Sequence, residues 1–417
     1  MRWPTVPLKE IAPAQTSNIR FSSDEPVWHL TLDQIESHTG NIVNKKIAPA
    51  SAAGTSTNVF DDGNVLYSKL RPYLNKVLCP TEPGIATTEL VPLRPRKDLL
   101  ERRYLTYYLR SNHFLGFANV AVAGVKMPRI IMAKFWKHHI PLPPLSEQQR
   151  IVEILDQANA LRKKRAEADA IAARILPALF YKMFGDPLAN PHGLPMETVG
   201  TLLTLLRNGT TAEQNQDGRG FPVTRIETIS AGVINPDRVR YVDFDDSELN
   251  KWRLEPGDIL FSHINSESHI GKTAIYKGQP DPLIHGMNLL LMRADAKQVR
   301  PEYLFAVLNT DSVRAAYRQR CKRAVNQASL NQKDISSLEI AVPPIDAQDR
   351  FCLLAGNLLQ QVETQQKATE NIEKLSDNLI HRAFTGDLTA KWREAHMKEL
   401  LQEMEQQAKA LNVRIES

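Results

Sequence analysis

Residues Ile140–Arg150 read IPLPPLSEQQR, and residues Ile340–Arg350 read IAVPPIDAQDR. Pro143-Pro144 maps onto Pro343-Pro344 and Arg150 onto Arg350, an offset of 200 (143 to 343). The likeness extends both ways. Upstream, GNVLYSKLRPYLNKV from Gly63 resembles GDILFSHINSESHIGKT from Gly257, and Tyr104-Leu105 pairs with Tyr303-Leu304. Downstream, Phe184-Gly185-Asp186 answers Phe384-Thr385-Gly386-Asp387. A period this long duplicates whole domains; it is not the short period of a solenoid.

Each copy divides into a mixed segment, 1–143 and 190–342, and a helical one, 144–189 and 343–389. A helical tail, 390–417, follows. In the mixed segments short apolar runs such as Asn64–Tyr67 and Asp258–Phe261 sit between Gly, Pro, Asn and Asp, which predicts strands and turns. One helix is expected in each, over Leu99–Asn112 and Pro301–Tyr317. Both mixed segments therefore read as α+β globules. After each proline pair, Ser146 with Gln149 has capping-box spacing and Asp346 can cap the second start. Ile154, Ala158, Leu161, Arg165, Ala168, Ala172, Ile175 and Leu179 then recur four and three apart. Offset by 200, Leu354, Leu358, Gln361, Gln365, Ala368, Ile372, Leu375 and Leu379 do the same. This is a heptad seam with a polar position at one height in both helices. Its natural partner is its own duplicate, placed antiparallel by a pseudo-two-fold, although an ordinary helical hairpin has the same periodicity. A helix from Ser146 to Phe184 would run about 58 Å, with Pro177 expected to kink it or end its regular part. Met397, Leu401, Met404, Ala408, Leu411 and Ile415 predict a further heptad-like helix, either frayed in solvent or packed on a partner.

The 417 residues, 42% hydrophobic and 24% charged, suit a protein of two or three globular domains. Lys plus Arg is 52 against 47 for Asp plus Glu, a mild +5 that permits a nucleic-acid partner without requiring one. Cys79, Cys321 and Cys352 are odd in number and far apart, which argues against a disulfide framework and for a reducing cytoplasm. Neither a signal peptide nor an eighteen-residue apolar run is visible, so no membrane partner is expected.

Catalytic motifs are missing. Gly271-Lys272-Thr273 has only the tail of a phosphate loop, with Ser266 where its first glycine belongs. No dinucleotide fingerprint, GxSxG or HExxH occurs, and the proline pairs lack the preceding Asn or Asp of an amino-methylating site. His138-His139 are adjacent, without metal-ligand spacing, and read as surface or strand-end residues. No catalytic or metal-binding residue is assigned. What remains is polar and basic. Lys69, Arg71, Tyr73 and Lys76 cluster in copy one, followed by Lys126 and Arg129. Copy two carries His263, Asn265, His269 and Lys272, then Arg320, Lys322, Arg323, Asn326, Gln327, Ser329 and Asn331. Lys and Arg neutralise phosphates, and Arg, Asn and Gln read base edges bidentately. A solvated charged surface would look the same residue by residue; the paired clusters favour DNA.

The sequence resembles the specificity (S) subunit family of type I restriction–modification systems, on the paired starts PLPPLSEQQRIVEIL and VPPIDAQDRFCLL and the endings ALFYKMFGDP and LIHRAFTGDLT. The resemblance covers about residues 1–390. It implies two target-recognition domains, each reading half of a bipartite DNA sequence, separated by two antiparallel spacer helices. It also implies docking of two modification subunits that methylate adenine N6, with the helix seam (Ile154, Leu161, Ile175, Leu179, Leu354, Leu358, Ile372, Leu375 and Leu379) as the partner-binding element. No cofactor is expected in this chain: S-adenosylmethionine belongs to the modification subunit, and ATP and magnesium to a restriction subunit. The loop Asn326–Asn331 looks like the family's target-proximal loop, whereas copy one departs from it with Lys126-Met127-Pro128-Arg129. A non-enzymatic coiled-coil scaffold and a self-sufficient methyltransferase or nuclease are the competing readings.

Overall fold

The computed structural model describes residues 3–411 apart from 230–231, 267–268 and 325–326, with no description of the side chains at 323–327 and 363. The chain divides into two compact units. The first comprises residues 1–166 and 368–417, the second residues 167–367. Both are α+β.

In the first unit, Ile47–Pro49, Pro26–Leu30, Gly84–Thr87 and Thr57–Phe60 form a four-stranded sheet in that order. Val77–Leu78, Val65–Ser68 and Leu90–Leu93 form a three-stranded one. In the second unit Leu203–Asn208, Leu290–Ala294, Ile259–Phe261 and Thr273–Ile275 make a four-stranded sheet. The start of each copy pairs antiparallel with the strand before its proline pair: Thr5–Pro7 with His139–Pro141, and Met196–Thr198 with Glu339–Ala341. These ladders pin both ends of each copy together.

The single helix expected in each copy is two. Arg102–Arg110 gives way to Asn112–Val120, and Pro301–Leu308 to Asp311–Arg320. The breaks fall at a hydroxyl residue with extended backbone, where a side chain competes for helical hydrogen bonds. Ser111 Oγ donates to the Tyr108 carbonyl at 2.6 Å and accepts from the Phe114 amide at 3.2 Å. Thr310 Oγ1 donates to the Val307 carbonyl at 2.8 Å. His138 and His139 stand at a strand end, as expected: His139 opens strand His139–Pro141 and is exposed, and His138 directly precedes it. His138 is half-buried against Tyr108, whose hydroxyl lies 2.8 Å from Nε2, and burial pushes its pKa down to about 4.

The long helices run over Leu145–Phe184 and Ile345–Thr385. The first continues through Pro177, so this proline does not end it. Neither Ser146 nor Asp346 is a cap, since both lie inside the first turn. The starts are held instead by buried glutamines. Gln148 Nε2 donates to the carbonyls of Leu99 and Pro143, both at 2.8 Å, and its Oε1 accepts from the Glu101 amide at 2.8 Å. Gln348 repeats this with Gln298 (3.2 Å), Pro343 (2.8 Å) and the Arg300 amide (2.7 Å).

The far ends of the helices cross over. In the first unit Phe384, from the end of the second long helix, packs edge-on to Tyr104 and Tyr108 at 5.4 and 5.1 Å. In the second unit Phe184 meets Tyr303 at 5.1 Å and Phe351 at 5.6 Å. Each globule thus completes its core with the helix end of the other copy. The pairing is antiparallel: in the first unit Arg162 bonds Glu373 and Arg165 bonds Thr369, each at 3.0 Å.

The seam is rotated from its expected register. Ala158, Ala172, Leu179, Leu358 and Ile372 are at least half-buried, and so is Leu379, but Leu161, Ile175, Leu354 and Leu375 are exposed. The inward positions one residue on are Arg162, Leu176, Ala355 and Ser376. Arg165 and Gln365, the expected polar position, are half-buried, and Arg165 bonds Thr369; only Arg162–Glu373 stands where a hydrophobic layer was expected. Ile154 is half-buried.

The tail packs on its own unit. Helices Ala390–Ala395 and Met397–Leu411 follow the second long helix. Arg393 Nε donates to the fully buried Glu147 carboxylate at 2.8 Å. Thr389 Oγ1 and Trp3 Nε1 donate to the same carboxylate at 2.6 and 2.9 Å. Glu403 accepts from the Ser146 amide at 3.1 Å, and Gln407 donates to the Pro143 carbonyl at 3.2 Å. Leu400 is buried, whereas the expected contact Leu401 is exposed; Ile415 lies outside the described residues. No helix among the described residues is long and apolar enough to cross a membrane.

Two outcomes follow from these tethers. Gln348→Ala strands the Arg300 amide and two carbonyls and is expected to destabilise the second unit by about 2–3 kcal/mol, read as a lower thermal midpoint. Arg393→Met leaves Glu147 buried without its cation. Its expected cost of about 3–5 kcal/mol should appear as lost hydrogen-exchange protection over Met397–Leu411.

Candidate nucleic-acid interface

The basic clusters of copy one, some 55 residues apart in sequence, meet in space. Strand Val65–Ser68 runs on into Lys69-Leu70-Arg71, and Leu70 bridges antiparallel to Arg129. The Ile130 amide donates to the Lys69 carbonyl at 2.9 Å, and the Arg71 amide to the Pro128 carbonyl at 2.7 Å. This lays the hairpin Val122–Ala123/Arg129–Ile130 along the strand extension. Arg71 has left-handed backbone, φ 49°, as does Asn75, φ 48°. Between them Pro72–Leu74 form one tight turn, and Asn75 Nδ2 anchors it on the Arg110 carbonyl at 2.9 Å. Non-glycine residues rarely hold this conformation, so the loop is fixed by its anchors.

Arg71, Tyr73 and Lys126 are exposed and Lys69 is half-buried. The other two candidates are already engaged. Arg129 forks onto Glu89, with Nη2 to Oε1 at 3.0 Å. Lys76 Nζ donates to the Leu32 carbonyl at 2.7 Å.

Copy two is built the same way. Ile264–Asn265 pairs with Gln327–Ser329, Ile264 facing Ser329, and the Leu330 amide donates to the His263 carbonyl at 2.9 Å. Leu70 and Ile264, Arg129 and Ser329, Ile130 and Leu330 are therefore structural equivalents, and Lys322–Ala324 completes the hairpin. Several sequence candidates have other duties here. His263 is buried, which pushes its imidazole below the ordinary value, so it is no phosphate cation. Asn331 caps helix Gln332–Ser336: its Oδ1 accepts from the Asp334 amide at 2.8 Å, while the Asp334 carboxylate accepts from the Asn331 amide at 3.1 Å. Asn265 folds its own loop, bonding the Ser266 amide at 2.8 Å and Ser262 Oγ at 3.2 Å. Arg320 is exposed and donates to the Asp334 carbonyl at 3.1 Å. His269, 3.1 Å from Ser266 Oγ, and Lys322 are exposed, and Lys272 and Ser329 are half-buried. Asn326 lies outside the described residues, as do the side chains of Arg323 and Gln327.

Sequence reading passed over two residues at the tip of the first hairpin, Val125 and Met127. Their signal was local: Gly124, at φ 91°, sets a turn that pushes the next residues outward.

The profile described as "Type I restriction modification DNA specificity domain" matches residues 2–168 and again 198–374. The chain belongs to this family. It is 40% identical over 196 residues to the MjaX type I restriction enzyme specificity subunit of Methanocaldococcus jannaschii, covering 47% of this chain and 46% of that one. To the EcoKI type I restriction enzyme specificity subunit of Escherichia coli it is 28% identical over 319 residues, covering 72% and 68%. The chain thus spans about half of the first relative's length and about two thirds of the second's. Among solved structures, one described as the structural basis of complex assembly and conformational transition of the type I R-M system superposes at TM-score 0.60 with 19% identity, covering 93% and 98%. The S subunit from M. genitalium gives 0.55 with 11% identity over 92% and 96%. Both share the fold.

Arg71 and Lys126 are exposed and have no ion-pair partner among the described residues, which makes them the first cations a duplex would meet on this candidate interface. The double variant Arg71→Ala/Lys126→Ala is expected to weaken duplex binding by the full chain whatever the sequence, and to flatten the slope of log K against log salt by about 2. Arg129→Ala, its charge already met by Glu89, should flatten it less.

Proposed function

We propose that this chain is the DNA sequence-specificity subunit of a type I restriction–modification complex. The observation that carries the reading is the repeated pairing of a strand extension with a hairpin in both units, with exposed cations on each. On this reading residues 1–143 and 190–342 are recognition domains, each holding half of a bipartite duplex target. Lys69, Arg71 and Lys126 in one, and His269, Arg320 and Lys322 in the other, approach phosphates, and hairpin side chains face base edges. Two weak half-interfaces on one chain reinforce each other, because the second binds at high effective concentration once the first is engaged.

Methyl transfer then belongs to two modification subunits holding S-adenosylmethionine, and cleavage to restriction subunits using ATP and magnesium. This chain supplies position rather than catalytic groups and works in the prokaryotic cytoplasm. The outward Leu161, Ile175, Leu354 and Leu375 of the long helices are the apolar contacts it offers to modification subunits, since exposed apolar side chains on a helix gain by being covered.

The long helices set the unspecified gap. Removing seven residues from the middle of each shortens them by about 10 Å, about three base pairs of duplex. Methylome sequencing of cells carrying that variant should show a correspondingly shorter gap between unchanged half-sites; an unchanged gap contradicts the assignment.

A further inference from the structure

The hairpin tip of the first unit is apolar where a solvated loop would be polar. Val125 is 99% exposed and Met127 47%, and across the interface Tyr73 is 48% exposed. Single exposed apolar residues are ordinary on protein surfaces. These stand at the end of a two-stranded ribbon, beside Lys69, Arg71 and Lys126, none with an ion pair among the described residues. Such a surface fits a polyanion that itself presents apolar spots. On the base edges of the major groove that spot is the thymine C5-methyl, and a two-stranded ribbon fits that groove. In the sequence of copy two, Asn326 and Gln327 stand where copy one has Lys126 and Met127. Amides there suit adenine edges and are out of place in a lipid surface.

Resting on the proposed function, we infer that Val125 and Met127 are specificity-determining residues that read thymine methyl groups. Arg129, forked onto Glu89, is not placed to read guanine bidentately; Lys126 and Arg71 position the ribbon on phosphates.

The test uses the chain assembled with its modification subunits. Exchanging residues 190–342 for another family member's domain assigns the unchanged half-site to the first unit. Each thymine of that half-site is then replaced by deoxyuridine, and duplex affinity is measured. At least one replacement should weaken binding about fourfold per contacted methyl. Val125→Ala/Met127→Ala should bind thymine and deoxyuridine duplexes alike, with an unchanged thermal midpoint. Met127→Gln should shift base preference at that one position. Indifference of the native complex to every deoxyuridine, or equal deoxyuridine sensitivity in the double-alanine variant, overturns the inference while leaving the specificity-subunit reading intact. Absence of any bipartite protection would instead overturn that reading.

Discussion

The packing of Phe384 on Tyr104 and Tyr108, and of Phe184 on Tyr303 and Phe351, is the constraint from which the rest of the architecture follows. Aromatic pairs at these separations bury large areas with defined geometry. Here each pair joins a globule built by one copy to a helix end supplied by the other. Neither copy completes its own core. Within the first unit the segments of the two long helices accordingly run antiparallel, as Arg162–Glu373 and Arg165–Thr369 show.

The ends of the helices, not their middle, carry this fixation. At the starts, Gln148 and Gln348 knit the proline pair to the loop before the next helix by three hydrogen bonds apiece. Between the ends the inward positions are partly polar, with Arg162 on Glu373 and Arg165 on Thr369. Partly exposed pairs of this kind add little net stability, but they oppose sliding by one turn. The two helix starts differ. Glu147, buried under Arg393 and Trp3, locks the tail onto the first helix start, whereas copy two has Ala347 at that position.

The same economy shapes the interface. A strand extension and a hairpin, some 60 residues apart, meet through backbone hydrogen bonds in both copies. Backbone pairing is indifferent to side-chain identity.

By itself the sequence determined the duplication, the α+β class, the presence and starts of both long helices, and the family. Each of these rests on local order: proline pairs and apolar periodicity are written along the chain. The tertiary structure decided which face of each helix points inward, because Leu161 and Leu354 satisfy a heptad as well as their buried neighbours until a partner is present. It also decided that His263 is interior and Asn331 a cap, and that Arg129 and Lys76 are already engaged. Whether a polar side chain is free for a ligand depends on neighbours contributed by distant segments, such as Glu89 and the Leu32 carbonyl, and periodicity carries no information about those.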